Sequence, residues 1–79
     1  MIEEFYTIEA RTKDGRKIYF GAEDKGEDYR WKFCRSDAIW FESREQAENF
    51  AENYFTVFKD YSIEPFSFDI NTLQYATNN

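Results

Sequence analysis

Sixteen carboxylates are the abundant reactive side chains of this 79-residue chain, and there is no His to work beside them. Without imidazole the usual general base, the Ser–His and Cys–His nucleophile pairs and the commonest metal ligand are all missing. A single Cys, Cys34, excludes both a Cys-based structural zinc and an intramolecular disulfide, which suits a reducing compartment. Cys34 falls on the same side of its strand pattern as Arg30 and Lys32, a setting that could activate a thiol; the simpler expectation is a small buried hydrophobe. Gly15, Gly21 and Gly26 are too dispersed to form a phosphate-cradling loop. Residues 23–28 hold four carboxylates but lack both the ligand spacing and the flanking helices of a calcium hand, and read as a solvated acidic turn. Two carboxylates meeting in a cleft could still do acid–base work, yet a domain of this size has little room for a deep pocket. A non-catalytic protein with no cofactor and no resident metal is expected.

One helix must position most of the acids. Ala47, Phe50, Ala51, Tyr54, Phe55 and Phe58 recur at the spacing that stacks side chains into one stripe, which predicts a helix from Ser43 to Asp60. Glu45, Glu48, Asn49, Glu52 and Asn53 fall on its opposite side. Ser43 followed by Gln46 reads as a capping box, with Gln46 reaching back to the Ser43 amide.

The rest of the chain reads as strands. Residues 5–12 and 16–22 alternate apolar and polar, and Lys13-Asp14-Gly15 lies between them. A two-residue loop would set Glu9 opposite Phe20. A three-residue loop with Gly15 left-handed pairs Ala10 with Ile18, Ile8 with Phe20 and Tyr6 with Ala22, and this register is expected because it keeps one face apolar. Glu9, Arg11, Lys17 and Tyr19 then share the wetter face. Residues 29–34 form a third strand, 38–41 a bridge or brief strand, and 61–70 a strand whose phase changes at Glu64-Pro65, so that an edge position or a bulge is expected there. Residues 71–79 are polar, and the last few are expected to fray. The order β-β-β-(β)-α-β defines an α+β fold: a single domain, 1–79, with an antiparallel sheet of three to five strands and one amphipathic helix on one face.

Charge is divided unevenly along this fold. Residues 1–35 balance eight acids with eight bases, whereas residues 36–79 hold eight acids against Arg44 and Lys59 and so carry the whole net charge of -6. That balance disfavours direct binding to a nucleic-acid backbone and favours a protein partner with a basic surface. The expected docking face is the helix row Glu45, Glu48 and Glu52, extended by Glu42 and Asp60, a spacing of negative charge that imitates phosphates in a basic groove. Nine Phe, six Tyr and two Trp exceed what one helix on a small sheet can bury. Tyr19, Trp31 and Trp40 are therefore candidate aromatic anchors. Two alternatives stay open. Arg11, Lys17, Arg30 and Lys32 interleaved with Tyr19 could form a stacking platform for single-stranded nucleic acid, or the surplus rings could form a homodimer interface. No signal peptide and no membrane-spanning run is evident, so a cytoplasmic location is expected.

The Lys-Asp-Gly hairpin, the Trp-Phe-x-Ser-x-Glu-x-Ala entry at residues 40–47 into an acidic helix, the missing His and the short aromatic-rich chain resemble the small acidic accessory proteins of phages and mobile elements of Gram-positive bacteria. Some of these are anti-restriction or anti-CRISPR inhibitors. The resemblance implies a stoichiometric inhibitor working in the host cytoplasm, and it assigns no residue a role.

Overall fold

The turn between the first two strands sets the register for everything that follows. Gly15 lies at φ +86°, its N–H donates to the Thr12 carbonyl (3.0 Å), and the Thr12 N–H closes the loop on Arg16 O (2.9 Å). This is the three-residue loop expected from the sequence, and its left-handed position is one that glycine adopts without the strain a side chain would bring. In the computed structural model, which describes residues 1–23 and 28–76, it joins β1 (Ile2–Arg11) to β2 (Lys17–Ala22), with Ala10 opposite Ile18 and Glu9 opposite Tyr19. β3 (Tyr29–Lys32) pairs with β2, β4 (Ser62–Asp69) with β1, and β5 (Gln74–Tyr75) with the end of β4. The result is one antiparallel sheet in the order β3-β2-β1-β4-β5, with a single helix, α1 (Arg44–Tyr54), packed on it over β1 and β4. The acidic turn at 24–27 and the chain end at 77–79, where fraying is expected, lie outside the described residues.

The two central strands separate beyond Glu9 and Tyr19, and residues 39–41 enter the gap. Ile39 N–H donates to Phe20 O (3.0 Å), while Phe41 and Tyr6 exchange two backbone hydrogen bonds of 2.8 Å. Tyr6 is therefore paired with Phe41, and Ala22 with Tyr29, in place of the expected Tyr6–Ala22 pair. β3 ends at Lys32, and the chain turns through a 3-10 segment at Arg35–Asp37, leaving Cys34 exposed where a buried residue was expected.

Helix α1 begins as its sequence dictates. The Gln46 N–H donates to Ser43 Oγ (3.1 Å), and Gln46 Oε1 accepts from the Glu42 N–H (3.2 Å), one residue outside the cap and not at Ser43 itself. Removing that cap with Ser43→Ala should cost about 1 kcal/mol, lowering the thermal midpoint followed by circular dichroism by about 4–8 °C. The helix ends at Tyr54, six residues before the expected Asp60. Asn53 Nδ2 donates to the Asn49 carbonyl (2.9 Å), Phe55 leaves helical geometry at ψ 86°, and the β-branched pair Thr56-Val57 follows. Each of these disfavours another turn.

Apolar rings fill both faces of the sheet. Under the helix, Ile8, Phe20, Ala47, Ala51 and Phe55 are buried, and Phe20 lies against the rings of Tyr29, Trp31, Phe50, Tyr54 and Phe55 at centroid distances of 4.9–6.0 Å. On the other face, Trp40 packs on Phe5, Phe66 and Phe68, with Tyr75 beside it. The phase change in β4 is the signature of this two-sided burial. Tyr61 and Ile63 serve the helix face, Phe66 and Phe68 the other, and the pairing with β1 runs through Pro65 without a bulge. Pro65 pairs with Tyr6 on one side, and the short β5 does not reach it on the other. At Pro65, β4 is thus locally an edge, where a missing N–H costs no ladder bond.

Candidate functional site

The helix carries its acids on a surface that nothing within the described chain neutralises. Glu42, Glu45, Glu48 and Glu52 are exposed, as is Asp60 beyond the helix end. Among the described residues no ion pair engages any of the five; the four ion pairs found lie on Glu9, Glu23 and Asp69. The reason lies in where the two cations of the second half are directed. Arg44 is one turn from Glu48, the spacing that favours a helical ion pair. Its guanidinium instead donates to the Ile63 carbonyl (3.1 Å) and lies 5.3 Å from the Tyr6 ring centroid. Lys59 Nζ donates to the Phe55 carbonyl (2.8 Å). Both cations serve backbone oxygens and not the carboxylates. Glu45, Glu48 and Glu52 remain the continuous row on α1 itself. Asp60 belongs elsewhere: it lines a cleft of about 560 Å³ where the chain enters β4.

The three rings nominated as anchors are half-buried and engaged in packing. Trp31 lies against Phe20, Phe55 and Phe58. Trp40 sits in the second aromatic cluster and donates its indole N–H to the Arg35 carbonyl (2.9 Å). Tyr19 has the Arg35 guanidinium 5.6 Å from its ring centroid, and the same guanidinium lies over Phe66 and Tyr75. The large apolar side chains that stand furthest out are others: Val57 (88% exposed), then Leu73, Met1 and Ile2; among the rings Phe33, Tyr54 and Phe58 are the most exposed. Tyr54 and Phe58 belong to the stripe read as core; the early helix end leaves them at its margin.

The basic strand face is occupied internally. Glu23 accepts from Lys32 Nζ (3.0 Å) and pairs with Arg30 (3.1 Å), and the hydrogen bond from Lys32, together with both positive charges, pulls its carboxyl below the usual range. Arg11 donates to the Gly15 carbonyl (2.8 Å), and Lys17 lies 3.6 Å from Glu9. With Tyr19 beneath Arg35, the elements of a stacking platform are each engaged by a partner in the chain. Glu9 itself was expected on a wet face and is 4% exposed: it is flanked in the sheet by Tyr19 and Ser62, and its carboxylate is met by Thr7 and Lys17.

Among the described residues no group of three His, Cys, Asp or Glu is arranged to hold a metal, and no helix is long and apolar enough to cross a membrane. Comparison of the chain with protein-family models, with curated proteins and with solved structures returned no match. The functional argument therefore rests on the molecule's own surface.

Proposed function

We propose that this protein is a non-catalytic, acidic binding module that docks through the outer face of α1 onto a protein partner with a basic groove, where it takes the place of a nucleic acid. The observation that carries this reading is the direction of Arg44 and Lys59. A helix with four exposed glutamates at and beyond its cap keeps Arg44 and Lys59 on backbone carbonyls, so among the described residues its carboxylates face solvent without a direct ion pair. Such a field accelerates encounter with a positive surface and loses strength as salt rises. Inhibition by occupancy, in the manner of the phage-encoded proteins the chain resembles, needs no catalytic group, and the unpaired thiol of Cys34 suits action in the cytoplasm.

The corresponding experiment is displacement. When the protein is titrated into a complex of its captured partner with a labelled oligonucleotide, fluorescence anisotropy should fall to the free value near equimolar addition. The effect should weaken steeply between about 50 and 200 mM salt. Formation of a ternary complex, with anisotropy unchanged or raised, would contradict the proposal.

A further inference from the structure

The cleft near Asp60 exists because two strands end out of step. Pairing between β1 and β4 stops at Glu9–Ser62, yet β1 runs on to Arg11 while the chain arrives at β4 through Asp60 and Tyr61. The gap of about 560 Å³ is within the range of ligand sites. Its lining includes Glu9, Asp60 and Glu64, the ring of Tyr61, and the cations Arg11 and Lys17. Glu9 is the unusual member. Its residue is 4% exposed, and its Oε2 accepts from the fully buried Thr7 hydroxyl (2.7 Å). Its Oε1 has, among the described residues, only Lys17 Nζ at 3.6 Å, beyond a good hydrogen bond. Glu9 is thus paired with one cation, but at a distance that leaves Oε1 open to a closer charged donor entering from the cleft. Of the two cations in the cleft, Arg11 is committed to the Gly15 carbonyl, while Lys17 stands 43% exposed and can swing away.

We infer that this cleft receives a guanidinium side chain, an arginine presented by the basic partner, which donates to Glu9 Oε1, lays its stem along Tyr61 and displaces Lys17. Asp60 and Glu64 then flank the entering cation. This assignment rests on the reading of the protein as a receptor for a basic partner, and it adds the recognition element: one arginine anchored beside the helix face. The sign of the Lys17 effect separates it from the opposite assignment. In a cation site Lys17 is a competitor; in an anion site it would be a ligand.

The test uses the intact protein and Nα-acetylarginine amide as the probe, followed by amide chemical shifts at low salt. Saturable shifts at Glu9, Ala10, Arg11 and Ser62 are expected. Lys17→Met should tighten binding about three- to tenfold, and Glu9→Gln should weaken it about tenfold or more. A thermal melt of each variant shows that it is folded, and because Lys17 is exposed, the sign of its effect can be read without a change in the core. Absence of saturable shifts, weaker binding by Lys17→Met, or saturation by inorganic phosphate in place of the arginine probe would overturn the assignment. If the cleft binds nothing while charge reversal on α1 still abolishes partner capture, only the cleft assignment falls.

Discussion

Phe20→Ala is expected to lower the thermal midpoint by about 15–30 °C and to leave the chain substantially unfolded at 37 °C. The ring is 3% exposed and is the common neighbour of five others, drawn from β3, from α1 and from the residue that ends the helix. Truncating such a residue removes its transfer free energy and leaves a cavity among rings that cannot collapse together, at a cost of about 3–5 kcal/mol. A domain of this length has roughly 4–12 kcal/mol in total. Phe33→Ala is the matched control. That ring is 58% exposed, with its recorded ring contact the Arg16 guanidinium at 4.2 Å, and its loss should cost less than about 1 kcal/mol. Equal melting of the two variants would show that the helix-side cluster is not the core.

Gly21→Ala should cost about 3 kcal/mol, from a single methyl group. Gly21 is buried in β2 and does not have the left-handed backbone of Gly15; what it supplies is space. A Cβ there would lie 2.3 Å from the Asp37 carbonyl oxygen and 2.9 Å from Lys32 Cγ. The lysine stem can move aside, whereas the Asp37 carbonyl belongs to the 3-10 turn that crosses this face of the sheet. Lifting that turn displaces Arg35 from its ring contacts and disturbs the bond from the Trp40 indole to the Arg35 carbonyl. Two readouts should therefore move together, the thermal midpoint and the tryptophan emission, as Trp40 becomes more exposed. A midpoint within about 2 °C of the parent would mean that the turn does not rest on β2.

The turn and the helix start were readable from sequence because each depends on residues close together. Gly15 must be left-handed for Ala10 and Ile18 to share a face, and Ser43 with Gln46 marks one end of a stripe. The helix end was not readable, because Phe55 and Phe58 keep the apolar spacing after the helix has stopped. They pack on Trp31 and on one another from a non-helical segment, and periodicity records positions without recording backbone geometry. β5 was missed for a related reason: a two-residue strand has no period. The second aromatic face had one visible sign, the phase change at Pro65, which reads equally as a bulge until Trp40 and Tyr75 are known to cover Phe66 and Phe68.

The candidate site divides along the same line. Composition identifies the acidic half, and helical spacing places Glu45, Glu48 and Glu52 in one row. Whether Arg44 would neutralise that row depends on the Ile63 carbonyl, 19 positions away, and on the Tyr6 ring. Glu9 was hidden more fully, since an alternating strand assigns it to solvent, whereas in the fold it lies between Tyr19 and Ser62 of the neighbouring strands. Tertiary contacts thus decided which charges are available, and they left the helix row outside while drawing Glu9 in.

That row is most directly tested by replacing Glu45, Glu48 and Glu52 with Lys and comparing affinity capture from a whole lysate of the source cell by the parent and the variant. All three positions are exposed on the helix, so circular dichroism and the thermal midpoint should stay close to those of the parent. The basic, nucleic-acid-handling partner retained by the parent should be lost by the variant. Equal retention of that partner by both proteins would contradict the assignment of the helix face as the docking surface.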